Sequence, residues 1–410
     1  MTWCRTAYVN AKGTISLETI ADRLSKHNDG AVGTIAGQIF DLTQSVDWME
    51  YLEKKEDRQN DEGGAGAYDT MRCDIILPNN KNSDPGKHRV IVWGQDYHLQ
   101  RLQNSFLSLV HETKNSTQIA DPTPTISSEV LSNAMDQSHS IISELLAAAE
   151  SSVTATESHN NDTLIQLFRV TLLWSKALPG PVNHSTFNSI LVRGHATSSC
   201  KLLNVHDPPE PIVVSIAAHH ATEHNSSRNE DSTELDKSLP TRHANPQNKI
   251  ASWCRLRKQM EKPTYKPPGV SEVLMVRERL DDDSNKMRLE VLEGLSSNFF
   301  AIYKDGTLRT ATEGVLNGYV RHLVLGCASK VGLQVDPRPI FLSDAPEWSE
   351  AFITSSSRLI YPISKIIIPD DDPTNSDSFS VCWTSENVHP PTMPKWQELL
   401  QEVLRTAGYD

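Results

Sequence analysis

The chain has 410 residues, enough for two ordinary domains, and carries 39 Lys and Arg against 52 Asp and Glu. A formal charge of -13 at pH 7 argues against a nucleic-acid or anionic-membrane partner, because phosphate surfaces select a basic footprint. No run of about 18 apolar residues is present. Met1 to Gly13 lacks the apolar core of a signal peptide, so a cytoplasmic location is expected, with organelle targeting left open. The six cysteines stand singly, which suits a reducing compartment. His219, His220, His224 and His243 lie in a polar loop without zinc-site spacing, so no metal is expected.

Residues 1–60 read as a helical N-terminal extension, since Leu17–Leu24 and Ile39–Leu52 place apolar residues at helical spacing. Asp61–Arg72 (DEGGAGAYDTMR) is dense in glycine, which permits close backbone approach, and leads into a strand from about Ala67. Cys73–Leu77 and Arg89–Trp93 predict a hairpin. Residues 97–110 predict a helix with Leu99, Leu102, Phe106 and Leu109 on one face and His98 and Arg101 beside them. Ser128–Ala148 predicts a second helix. Leu164–Trp174, Phe187–Gly194 and Val213–Ala218 read as strands completing a sheet begun at Tyr68.

Residues 219–246 have the composition of a linker or functional loop. Lys249 follows, beside Ile250, Ala251 and Trp253 rather than among charges. Arg255, Arg257 and Lys258 come next, cations that would favour a neutral, nucleophilic amine. Glu293-Gly294 closes an apolar strand, and Phe299–Tyr303 forms the next one before a Lys304-Asp305-Gly306 turn. Leu316-Asn317-Gly318 then opens a helix with Val320, Leu323, Val324 and Cys327 at helical spacing. A carboxylate, a polar turn and a glycine-started helix suit an anionic, nitrogen-containing ligand, with helix N–H groups toward a phosphate. Gly332–Phe341 reads as a strand and Pro346–Ala351 as a short helix. Thr354, Ser355 and Ser356 place hydroxyls in a row between apolar strands, which core alternation does not explain. A final helix is expected over Trp396–Ala407.

Taken in order, these segments resemble the class IV aminotransferases, the fold-type IV enzymes that use pyridoxal 5'-phosphate. That family includes branched-chain and D-amino-acid aminotransferases and aminodeoxychorismate lyase. Gly64–Arg72 resembles its G-x-G-x-[YF]-E-x-x-R segment, with Asp69 where Glu is usual. His98–Ser105 is similar to H-x-x-R-L-x-x-S, and Lys249 to Trp253 to Lys-x-x-x-Trp. Glu293, Gly294, Asn298, Thr310, Leu316, Gly318 and Arg321 match the Glu-Gly to Leu-x-Gly-x-x-Arg block. Glu350, Phe352, Thr354, Ser355 and Ser356 match E-x-F-x-T-[GS]-[TS]. The charged hairpin Arg277–Arg288 lengthens the interval between Lys249 and Glu293.

The resemblance implies a two-domain α+β or α/β fold of fold type IV. After the 1–60 extension would come a small α/β domain at 61–218 and an inter-domain loop at 219–246. A larger cofactor-binding domain with a barrel-like β core would span 247–366, followed by an acidic loop and helix at 367–410. It implies an aminotransferase moving an amino group between an amino acid and a 2-oxo acid, through a Schiff base of pyridoxal 5'-phosphate on Lys249. Glu293 would pair with the ring nitrogen. Arg101, Thr354, Ser355 and the backbone at Tyr319 and Val320 would anchor the phosphate. Tyr68, Arg72 and His98 would line the substrate pocket, Arg72 meeting a carboxylate and His98 also supporting the phosphate side. A homodimer is implied as well. A lyase of the aminodeoxychorismate lyase type, or a non-catalytic binding module on the same fold, stays open, because fold alone does not decide function.

Overall fold

A computed structural model describes residues 2–10, 13–16, 66–77, 88–115, 126–153, 164–176, 189–198, 202–204, 207–217, 246–281, 285–369, 379–385 and 393–409. The chain divides into two compact units, Met1–Asp207 with Asn248–Arg255, and Pro208–Gln247 with Leu256–Asp410.

In the first unit the strands are β1 (Thr2–Asn10), β2 (Gly13–Ser16), β3 (Ala67–Ile76), β4 (Arg89–Val92), β5 (Leu164–Lys176), β6 (Ser189–Ser198) and β7 (Leu203–Asn204). They form one sheet in the order β2-β1-β6-β5-β3-β4, with β7 on β5, and every pairing is antiparallel. Helices α1 (Gln95–Asn115) and α2 (Ser128–Ser152) supply the second layer. Alternation along β3 turns Met71, Cys73 and Ile75 into a core with Leu99, Leu102 and Phe106 of α1 and Ile141, Ile142 and Leu145 of α2. Burying one such large apolar side chain contributes about 1.5–3 kcal/mol.

The N-terminal expectation is corrected at its start. Thr2–Asn10 and Gly13–Ser16 are a hairpin on the sheet, β1 pairing with β6 from Thr2↔Thr197 to Asn10↔Ser189. Trp3, Thr6, Tyr8, Val9 and Ile15 are strand-forming types, and a sheet edge to join outweighs helical spacing further along. The segments that suggested helix, Leu17–Leu24 and Ile39–Leu52, lie outside the described residues.

The second unit is built on β8 (Ile212–Ala217), β9 (Glu272–Asp281), β10 (Lys286–Gly294), β11 (Asn298–Tyr303), β14 (Trp348–Ser355) and β15 (Leu359–Pro369). Their order is β10-β9-β8-β15-β14-β11, and a further β10–β11 pairing at Glu293↔Asn298 closes the ring into a six-stranded barrel. The barrel-like core that the resemblance implies is therefore present. β12 (Thr307–Arg309), β13 (Gln334–Val335) and β16 (Phe379–Thr384) lie outside the ring. Val214, Leu274, Val291, Phe299, Ile353 and Ile366 are among its buried core.

Three local expectations fail here. Val213–Ala218 was expected to complete the first sheet, but β8 pairs in parallel with β9 and β15 in the barrel. Of Gly332–Phe341 only Gln334–Val335 is strand, and Phe341 makes one bridge to Glu290. Pro346–Ala351 is helical only at Pro346 and Glu347. A 3-10 turn spans Leu342–Glu347, and Trp348 already begins β14, its ring buried against Phe299.

Helices α3 (Ser252–Met260), α4 (Tyr319–Cys327) and α5 (Lys395–Thr406) complete the described α-helices. Glu350 on β14 accepts the Lys395 and Trp396 N–H groups, both at 2.9 Å, and so caps α5 with a carboxylate. The charged hairpin at Arg277–Arg288 is the extended end of the β9–β10 pair, with Lys286 opposite Asp281.

Candidate functional site

Within the first unit, Lys249 is held by its backbone. Tyr68 N–H donates to the Lys249 carbonyl (2.9 Å), Ala251 N–H donates to Gly66 (3.0 Å), and Ala67 bridges Ile250. Lys249 N–H donates to Ser105 Oγ on α1 at 3.0 Å. Gly66 itself packs tightly on the neighbouring strand β5. Its φ is +59°, and a Cβ there would lie 2.5 Å from the Trp174 carbonyl oxygen.

Asp69 stands on the helix-facing side of β3, in line with Ala67 and Met71, and is fully buried. Arg101 grips both its oxygens, Nε to Oδ2 at 2.7 Å and Nη2 to Oδ1 at 2.7 Å. His98 Nδ1 lies 3.0 Å from Oδ1, and Lys249 Nζ lies 3.7 Å from it. Arg101 Nη2 lies 3.1 Å from the same Nδ1, but the carboxylate only accepts and is the nearer partner, so the tautomer with its proton on Nδ1 donates to Asp69. Burial alone would push the Asp69 carboxyl up, but Arg101, His98 and Lys249 outweigh it and hold the group well below the usual carboxylate range. Burial likewise pushes His98 down, against the pull of Asp69, so the ring is neutral at pH 7. The Tyr68 ring lies 5.4 Å from Lys249 Nζ, within cation–π range.

In the second unit Glu293 is 1 % exposed and sits where the barrel closes. Its Oε2 accepts from Asn298 Nδ2 and from Leu316 N–H, each at 3.1 Å. Asn298 Nδ2 also donates to the Leu316 carbonyl at 2.7 Å. Arg321 donates to the Ala311 carbonyl (2.9 Å) and Gln247 to that of Val315 (2.8 Å), which fixes the loop before α4. Gly318 is the N-cap of α4 and offers no side-chain cap; a Cβ there would stand 2.2 Å from Asn298 Oδ1. Across the β11–β14 pair from Asn298 lies Thr354, 1 % exposed, whose Oγ1 has no hydrogen-bond partner among the described residues. An orphaned buried hydroxyl beside an uncapped helix start is the donor chemistry of an anion site.

The family model for amino-transferase class IV matches residues 66–366. The chain belongs to this family. A curated relative from Thermotoga maritima, named "Probable branched-chain-amino-acid aminotransferase", is 25% identical over 134 residues, covering 31% of this chain and 49% of its own length. The chain thus spans about half the length of that relative. A branched-chain aminotransferase structure from the archaeon Thermoproteus uzoniensis, solved with norvaline, aligns with TM-score 0.45 and 15% identity over 86% of this chain and 91% of that one. A hypothetical aminotransferase from Mycobacterium tuberculosis, in a PLP-bound form, aligns with TM-score 0.46 and 14% identity over 84% and 90%.

The structure gathers Tyr68, His98, Arg101 and Lys249 of this class IV chain around Asp69 in the first unit. In the second it sets Glu293, Asn298, Gly318 and Thr354 together, with Tyr319 and Val320 opening α4. Arg72 meets a carboxylate of its own strand. It is 4 % exposed and its Nε donates to both oxygens of Asp74 at 2.9 and 2.7 Å, with the guanidinium over Trp93. Ser355 holds its own turn, accepting Arg358 N–H at 3.2 Å.

Asp69 is the buried charged group that residue-by-residue reading missed, having registered only as a departure from Glu. Two signals pointed to it. It is the lone carboxylate on an otherwise apolar face of β3, and His98, Arg101 and Ser105 repeat at helical spacing on α1. Arg72 and Asp74, two apart on a strand, also share a face. A separate cavity of about 440 Å³ lies at the opposite end of β10 and β11, lined by Arg279, Arg288, Arg309, Asp281 and Asp344. Its guanidiniums are engaged within the protein, Arg288 by Asp281 at 2.9 Å and Arg309 by Asp336 at 2.9 Å.

Proposed function

We propose that this chain is a pyridoxal 5'-phosphate-dependent aminotransferase that moves an amino group between an amino acid and a 2-oxo acid. The observation that carries the reading is Lys249. It is a lysine fixed by its backbone to both β3 and α1, within a chain of the class IV family.

The residues fit that cofactor. Lys249 offers an amine to an aldehyde. The orphaned Thr354 Oγ1 and the α4 N-terminus at Gly318, Tyr319 and Val320 suit a phosphate, with Ser355 and Arg101 as further donors. The Glu293 carboxylate suits a protonated ring nitrogen. When bound, the cofactor supplies a carbonyl for the amino group and a ring that draws electrons from the α-carbon.

The chain's own groups do the rest. Lys249 Nζ takes the proton from the substrate α-carbon and returns it. Glu293 is kept in place by Asn298 and the Leu316 N–H, so its carboxylate needs no reorganisation during reaction. His98, held neutral and donating to Asp69, keeps that carboxylate oriented toward Arg101 and Lys249. Tyr68 presents an aromatic face at the amine.

A homodimer, implied by the family resemblance, and a cytoplasmic location, expected from an N-terminus without a signal-peptide core, belong to the same proposal. No helix among the described residues is long and apolar enough to cross a membrane. Light scattering of the purified chain reads the assembly.

The central test is chemical. Purified chain mixed with pyridoxal 5'-phosphate should gain a visible absorbance band, and borohydride should then leave the pyridoxyl label on Lys249. A colourless product, or label on another lysine, would sink the reading. A panel of amino donors with 2-oxo acids should show amino-group transfer, and formation of product without an acceptor would assign a lyase instead.

A further inference from the structure

We propose that Asp69 is the positioning residue of the lysine site. Its single carboxylate clamps the Arg101 guanidinium and holds Lys249 Nζ beside it, so that both cations are placed by one anion. For the cofactor lysine this rests on the function proposed above.

The geometry separates this role from simple neutralisation of a buried arginine. Asp69 and Lys249 are tied to the same stretch of β3, because Tyr68, the residue before Asp69, donates its N–H to the Lys249 carbonyl. The Lys249 backbone and its side-chain terminus therefore have anchors one residue apart. Among the described residues of this unit, the groups around Nζ include the Asp69 carboxylate and the Tyr68 ring on β3, and His98 and Arg101 on α1. Asp69 is the only anion among them. Arg101 binds it through two hydrogen bonds, and His98 through one, which stops the carboxylate from rotating toward either cation alone. Lys249 is 16% exposed and Asp69 1%, so solvent screens the contact little on the carboxylate side.

The test uses the full chain treated with hydroxylamine to remove any bound aldehyde. Trace acetylation by acetic anhydride at pH 8 is read at Lys249 by peptide mass spectrometry. Asp69→Asn should make Lys249 react about tenfold faster, because the charge that favours its unreactive ammonium form is gone. Asp69→Glu, which keeps the charge, should label within about twofold of the wild-type rate. An unchanged rate in the Asn variant, or a Glu variant that behaves like Asn, overturns the proposal. Should Asp69→Asn fail to fold, Lys249→Met decides by itself. The His98 ring protons, followed by NMR, should then titrate at higher pH than in wild type, since a neighbouring cation has been removed; an unmoved midpoint overturns the proposal. Neither arm uses pyridoxal phosphate. Absence of the borohydride label would remove the proposed function and leave the role of Asp69 standing.

Discussion

Replacing Thr354 by valine should move stability and cofactor affinity in opposite directions. The residue is 1 % exposed on β14, opposite Asn298 on one side and Ile360 on the other, and its Oγ1 has no partner among the described residues. Leaving a hydroxyl buried without a hydrogen bond costs about 1–3 kcal/mol in proteins. Valine keeps the β-branched shape that a barrel strand favours and removes that cost. Discounting for imperfect fit, the cofactor-free variant should gain about 1 kcal/mol, or about 2–4 °C in Tm for a unit of this size. A hydrogen bond to a charged group is worth about 1.5–3 kcal/mol, so affinity for pyridoxal 5'-phosphate should weaken about 10- to 150-fold. Differential scanning calorimetry without cofactor and absorbance titration with it read the two effects. Thr354→Ser keeps the hydroxyl and should hold the affinity within about threefold. A valine variant that loses stability while binding the cofactor as before would refute the anion-site argument.

Other outcomes follow from the same contacts. Glu293→Ala strands the Leu316 N–H and should cost about 2–3 kcal/mol by urea denaturation, while Glu293→Gln should cost under about 1 kcal/mol yet lower turnover on the order of a hundredfold. A Gln variant at full rate would remove Glu293 from the ring-nitrogen role. Gly318→Ala places a Cβ against Asn298 Oδ1 and should cost about 1–3 kcal/mol; a variant as stable as wild type would show that the contact yields. His98 has its pKa lowered in the fold, so below about pH 6.5 the unfolded chain takes up a proton that the native state refuses. Stability from this group is complete above that pH and falls as pH drops, and urea midpoints at pH 7.5 and 5.5 should converge more in His98→Gln than in wild type. Removing the α5 cap with Glu350→Gln should cost about 1 kcal/mol and leave turnover unchanged, which calorimetry and a steady-state assay can check.

Much of this protein was written locally. Spacing along residues 97–110 placed leucines and Phe106 on the core face, and the same periodicity held His98, Arg101 and Ser105 on one side of α1. Glu293-Gly294, the Asp305-Gly306 turn and Gly318 before α4 are short-range signals, set by turn chemistry and by which residues can start a helix. Partner choice was not local. The apolar run of β8 is a buried strand in either sheet, and nothing in its own pattern selects the barrel over the first sheet. Asp69 and Lys249 lie 180 positions apart in the chain, and only pairing between the Gly66–Tyr68 edge and residues 249–251 joins them. Side-chain type and local period are properties of a few neighbouring residues. Which distant carboxylate compensates which buried cation is decided by packing, because desolvation makes an unpaired charge too costly to keep.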